Sequence, residues 1–200
     1  MTQPIGGTAT DPRRYFYDLE FLEDGRTIDL ISIGIVADDG REYYAVNSDA
    51  PMDRIRANDW LVRNVLPSLP IGGRTSLDTY VARPVNTFPR APLDLVDLDR
   101  RDIQVRPRWV IANEVREFLW SGAPDRQECP IELWAYYGAY DHVALCQLWG
   151  TMMQLPDGIP MWTNDIMQAA AGRALPEQPY GHHNALDDAR HVRTMWEHLQ

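Results

Sequence analysis

Residues 27–37, Thr-Ile-Asp-Leu-Ile-Ser-Ile-Gly-Ile-Val-Ala, are apolar and β-branched almost without interruption. A strand of that kind has to be covered on both faces, so the chain must build layers on each side of a sheet. An aromatic, extended run precedes it at 15–22, across the turn Glu23-Asp24-Gly25-Arg26. Asp38-Asp39-Gly40 then leads into a third strand at 42–47. Asp-Gly between such runs marks tight hairpins, which predicts three antiparallel strands.

The rest of the chain alternates. A helix is expected over 52–65, ended by Leu66-Pro67 and Leu69-Pro70. The 71–107 segment changes character, with Pro84, Pro89, Pro92 and Pro107 and few periodic apolar positions. Its length for a connection predicts a functional flap or a partly ordered insertion. Apolar residues at helical spacing (Val110/Ile111, Val115, Phe118/Leu119) give a helix over 109–120. A strand at 131–135, a helix at 140–149, a short strand near 159–162 and a helix near 164–171 follow. The last helix, 184–199, turns Leu186, Ala189, Val192, Met195/Trp196 and Leu199 inward. Strands first and β-α alternation afterwards predict a mixed α/β fold, with helices flanking a central sheet. The 200 residues fit one domain, 15–200, carrying the 71–107 insertion. Residues 1–14 lack an apolar stretch and read as a disordered tail, not a signal peptide.

Charge bears on partners. The chain carries 29 acidic against 19 basic side chains, a formal net charge of −10, and every basic side chain is arginine. Nucleic-acid binders are usually basic, so the balance speaks against nonspecific nucleic-acid binding. Cys129 and Cys146 make neither a disulfide framework nor a C-x-x-C site. With no long apolar stretch, a cytoplasmic protein is the expectation.

Three pieces carry chemistry. Asp18 and Glu20 alternate along a strand, so both carboxylates share one face, about 7 Å apart. Such a pair is costly without a positive charge between them, and hard oxygen ligands suit Mg²⁺ or Mn²⁺; a solvated strand face is the alternative. Asp141 follows a strand at the start of a helix, where a capping role is equally common. In Gly181-His182-His183-Asn184-Ala185-Leu186-Asp187-Asp188, a histidine precedes a helix with two acidic residues in its first turn; an acidic helix N-terminus with a bystander histidine would look the same.

In this order, D-x-E, a junction Asp and H-x(4)-D opening the last helix, the chain resembles the DEDDh family of 3′-to-5′ exonucleases, which have RNase H-like folds. Runs at 15–21, 23–25, 31–34, 39–46 and 138–150 narrow the resemblance to the RNase AS group, actinobacterial exoribonucleases of poly(A) tails. Two features depart from the family pattern: the 71–107 segment, and Tyr137, where many of these nucleases carry Asn.

The resemblance implies that Asp18, Glu20, Asp141 and Asp188 hold two Mg²⁺ or Mn²⁺ ions and that His183 is the general base. His183 is preferred to His182 because Ala185 follows it by two residues, as in H-x-A-x-x-D. The implied substrate is a single-stranded RNA 3′ end, adenosine-rich, released as nucleoside 5′-monophosphates, and the implied assembly is a homodimer. Glu20 is a candidate for contacting the 2′-hydroxyl. Tyr137 and Tyr140 are candidates for stacking bases, Trp134 reads as core, and arginines in or just after 71–107 (Arg74, Arg83, Arg90, Arg100, Arg101, Arg106, Arg108) are candidate phosphate clamps. His142, His191 and His198 read as packing or surface residues. The rival readings are a DNA or mixed-substrate exonuclease and a catalytically silent RNA-binding scaffold.

Overall fold

A computed structural model describes residues 12–85, 92–121 and 130–200. In chain order the elements are β1 (Arg13–Glu23), β2 (Ile28–Ala37), β3 (Glu42–Asn47), α1 (Met52–Ala57), α2 (Asp59–Asn64), β4 (Ile71–Gly72), α3 (Arg74–Val81), β5 (Asp97–Leu98), β6 (Val105–Arg106), α4 (Arg108–Trp120), β7 (Ile131–Ala135), α5 (Ala139–Cys146), β8 (Asn164–Asp165), α6 (Ile166–Ala170) and α7 (Ala185–His198). The main sheet has the order β6-β3-β2-β1-β7-β8, and β4 pairs with β5 apart from it. β1, β2 and β3 are antiparallel neighbours, as the Asp-Gly turns predict, while β7, β8 and β6 add in parallel. The result is a mixed α/β sheet flanked by helices, consistent with an RNase H-like fold.

Alternation along β1 organises the layers. Tyr15, Tyr17 and Leu19 enter one apolar cluster with Ile111, Val115 and Leu119 of α4 and Ala144 and Leu145 of α5. The opposite face carries Phe16, Asp18, Glu20 and Leu22. Phe16 packs with Ala189, Val192 and Met195 of α7. Leu22 packs with Ile31, Val46, Ile55 and Leu61 in the cluster that α1, α2 and α3 cover. The two carboxylates therefore sit on β1 between two apolar packings on the same face. Each buried Ile, Leu or Phe there contributes about 1.5–3 kcal/mol, which fixes the backbone that carries them.

Several boundaries differ from expectation. β1 starts at Arg13, not at residue 15, because it pairs in parallel with β7 from Arg13↔Ile131 and the Arg13 N–H donates to Pro130 O at 2.9 Å. Arg13 and Arg14 are thus strand, not tail; residues 1–11, Arg90 and Cys129 lie outside the described residues. The single helix expected over 52–65 is two, since Asn58 leaves helical geometry (φ −97°, ψ 105°) and its side chain caps α2. The helix expected over 140–149 stops at Cys146 and tightens into a 3-10 turn. Instead of a strand at 159–162 there is irregular chain with Ile159 buried, and the strand is β8, two residues further on.

The described parts of 71–107 are folded. Leu77 and Tyr80 of α3, with Val96, Leu98 and Val105, complete the cluster around Ile55, and β6 pairs with β3. The segment forms part of the cover on the carboxylate-bearing face.

Candidate active site

The side chains of Asp18, Glu20, Asp141, His183 and Asp188 open into one cleft of about 900 Å³, also lined by Phe21, Tyr136, Tyr137, Tyr140, Gln178 and His182. Asp18 and Glu20 come from β1. Asp141 comes from the first turn of α5, where its Oδ1 accepts the Leu19 N–H at 2.9 Å. That bond locks the α5 carboxylate onto the strand between Asp18 and Glu20, while the N-cap position of α5 is held by Gly138. Asp188 lies in the first turn of α7, which Asn184 caps by accepting the Leu186 and Asp187 N–H groups.

The register of the histidines is visible. His183 Nδ1 is 3.8 Å from Glu20 Oε1, and ligand atoms of Glu20, His183 and Asp188 all lie within 4.8 Å of one another. His182 also lines the cleft but is outside that group. The small residue two positions after His183 has a physical reason: Ala185 is fully buried where the start of α7 presses on β2 at Gly34.

Electrostatics mark the cleft as short of positive charge. Burial holds the Asp18 carboxyl well above the usual carboxylate range, and Asp141, Glu20 and Asp188 push it further. Burial raises Asp141 to about 7, against the Leu19 N–H. Glu20 is raised by burial and partly relieved by His183, and Asp188 is raised by burial and partly relieved by Gln178. The Glu20 carboxylate in turn raises His183. Four carboxylates that oppose one another's ionisation, with a histidine beside them, form a donor set of hard oxygens and one imidazole that fits divalent cations.

Sequence reasoning missed three supports. Trp60 of α2 meets the His183 ring edge-on, with centroids 4.8 Å apart, and Ser68 Oγ donates to the His183 carbonyl at 2.8 Å. Gln178 donates to Asp188 Oδ1 at 2.6 Å. All three lie far in sequence from the D-x-E and H-x(4)-D motifs or in a loop without periodicity; the Asn-Asp-Trp cap that starts α2 was the available signal for Trp60.

Other expectations divide. Tyr137 and Tyr140 are well exposed at the cleft, at 62% and 54%, Tyr140 stacking on Phe21 and Tyr137 against Tyr136. Trp134 packs against Trp196, as core. His142 is held between Tyr17 and Cys146, and His191 lies 3.1 Å from the Pro176 carbonyl. No arginine is among the described residues that line the cleft. Arg74 bonds the Pro67 and Leu69 carbonyls, Arg101 pairs with Asp99, Arg106 with Glu114 and Arg108 bonds the Gln147 carbonyl; Arg90 lies outside the described residues.

Among known proteins, the 3′-5′ exoribonucleases of two Mycobacterium tuberculosis strains, CDC 1551 and H37Rv, are each 42% identical to this chain over 180 residues, 88% of this chain and 87% of theirs. The chain belongs to this 3′-5′ exoribonuclease family. No family model matches it. The exoribonuclease has no helix, among the described residues, long and apolar enough to cross a membrane.

Proposed function

We propose that this exoribonuclease shortens single-stranded RNA from its 3′ end, with Asp18, Glu20, Asp141 and Asp188 holding two Mg²⁺ or Mn²⁺ ions and His183 acting as general base. The observation that carries the reading is the convergence of four mutually repelling carboxylates and one histidine on a single cleft. Bound there, divalent cations supply positive charge at the scissile phosphate and lower the pKa of a bound water. With His183 Nδ1 turned towards Glu20, Nε2 is the ring nitrogen that takes the proton of the attacking water. Hydrolysis then leaves a shortened RNA with a free 3′-hydroxyl and a nucleoside 5′-monophosphate.

The rings of Tyr137 and Tyr140 receive bases by stacking, which tolerates sequence, and Glu20 is the group nearest in kind to a 2′-hydroxyl acceptor. Preference for adenosine-rich ends rests on the likeness of residues 15–46 and 138–150 to the polyadenylate exoribonucleases, as does a homodimer. A net charge of −10 accords with an enzyme that holds RNA at its cations and rings and only weakly elsewhere.

The test is an end-labelled panel of poly(A), mixed-sequence RNA and single-stranded DNA, with and without EDTA. Stepwise Mg²⁺-dependent shortening of RNA, lost in Asp18→Ala and Asp188→Ala with melting retained, is expected. Unchanged shortening in both variants refutes the assignment, and equal rates on DNA favour the mixed-substrate exonuclease.

A further inference from the structure

The loop between α6 and α7 carries a residue whose side chain reaches back to the cleft. Gln178 Nε2 donates to Asp188 Oδ1 at 2.6 Å and to the Tyr180 carbonyl at 3.1 Å. Both partners are acceptors, so the amide must present its nitrogen to them, and each of its two hydrogens has a partner. Two residues upstream, the Pro176 carbonyl lies 3.1 Å from His191 Nε2 on α7. The amide is therefore anchored on both sides: the loop is fastened to α7 at Pro176, and the second hydrogen of Gln178 is tied to Tyr180, three residues before His183. The Asp188 carboxylate also accepts from the His183 backbone N–H, and it lies beside Glu20 and the His183 ring.

The geometry points to Gln178 as a positioning residue: by donating to Asp188 Oδ1 it fixes the carboxylate beside Glu20 and His183, and thereby sets the affinity of the site for its divalent cation. This rests on the reading of Asp188 as a cation ligand. Hydrogen-bond partners that orient ligating carboxylates typically affect metal affinity or activity by about 10- to 100-fold. A purely structural role in the loop would leave cation affinity unchanged.

Gln178→Met keeps the length of the side chain and removes both donors. Calorimetric titration of Mn²⁺ into wild type, Gln178→Met and Asp188→Ala, paired with steady-state cleavage of a labelled RNA, separates the cases. The expected result is weaker Mn²⁺ binding in Gln178→Met by about 10-fold or more and a fall in kcat at fixed Mn²⁺, with KM for RNA within about twofold and an unchanged melting temperature. Gln178→Ala, which also removes the side chain's bulk, is expected to match Gln178→Met. Mn²⁺ affinity in Gln178→Met equal to that of wild type, whatever its activity, overturns the role of Gln178 while leaving the site standing if Asp188→Ala has lost binding. Asp188→Ala binding Mn²⁺ like wild type overturns the assignment of Asp188, and the role of Gln178 falls with it.

Discussion

Gly34 and Ala185 touch through their backbones: a methyl group on Gly34 would come within 2.3 Å of the Ala185 carbonyl carbon and oxygen. Gly34 lies on β2 opposite Asp18, and Ala185 is the first residue of the helix that carries Asp188. The contact therefore sets how closely α7 approaches the strand pair bearing the other carboxylates. Backbone atoms cannot swing aside as a flexible side chain can, so bulk added here moves the helix.

Gly34→Ala is accordingly expected to cost stability by about 1–3 kcal/mol, as overpacking does, and to lower activity by more than the unfolded fraction accounts for. Urea unfolding alongside cleavage rates at a temperature where the variant is folded checks this. Full activity in the folded variant would show that the approach of α7 has slack.

Phe16 anchors the same helix from β1. It is almost wholly buried against Val192 and Met195 and lies 5.4 Å, centroid to centroid, from Trp196. Phe16→Ala is expected to cost about 3–5 kcal/mol in chemical denaturation, whereas Phe16→Leu, closer in volume, loses much less.

The pH dependence follows from Asp141. Burial raises it to about 7, against about 3.9 for an exposed Asp. Between those values the folded protein without a cation holds a proton that the unfolded chain has released. This stability is complete below pH 4 and is lost as pH rises through about 7. The melting temperature of EDTA-treated protein is expected to fall from pH 5 to pH 8, and Asp141→Asn to flatten that slope. Added Mg²⁺ should raise melting more at pH 8 than at pH 5, because cation and proton compete for the same oxygens. A metal-free melting temperature that rises across this range contradicts the account.

Tyr137 holds a left-handed backbone, φ 55°, a region that Asn enters more readily than Tyr. Tyr137→Asn is expected to keep or slightly raise the melting temperature while raising KM for RNA several-fold. A lower melting temperature with unchanged KM would show that the ring serves packing against Tyr136 instead.

What was legible in the sequence is what local pattern dictates. The period-two alternation of β1 puts Asp18 and Glu20 on one face and Asp-Gly turns set the antiparallel strands, whereas the choice of His183 over His182 rests on the family resemblance alone. What was not legible depends on distant partners. Arg13 is strand only because β7 lies beside it, Asn58 breaks a helical pattern by capping the next helix, and the described apolar residues of 71–107 pack because Ile55 and Leu61 offer them a surface. Asp141 looked like a cap by position, yet its oxygen is bonded to a strand residue 122 positions away. Gln178 had no signal at all, since its hydrogen bond to Asp188 arises from the path of an irregular loop.

A cleft edged with tyrosine rings and lacking arginine among its described residues has a kinetic consequence. Few condensed ions are released from the RNA backbone when it binds, so affinity should change little between low and moderate monovalent salt. On the proposed reading, a weak hold on the chain beyond the 3′ end is expected to let the product of each cut diffuse away before the next. Intermediates shortened by one, two and three nucleotides are then expected to accumulate together while most full-length RNA is still intact, as for an enzyme that trims distributively and leaves the pace to substrate concentration.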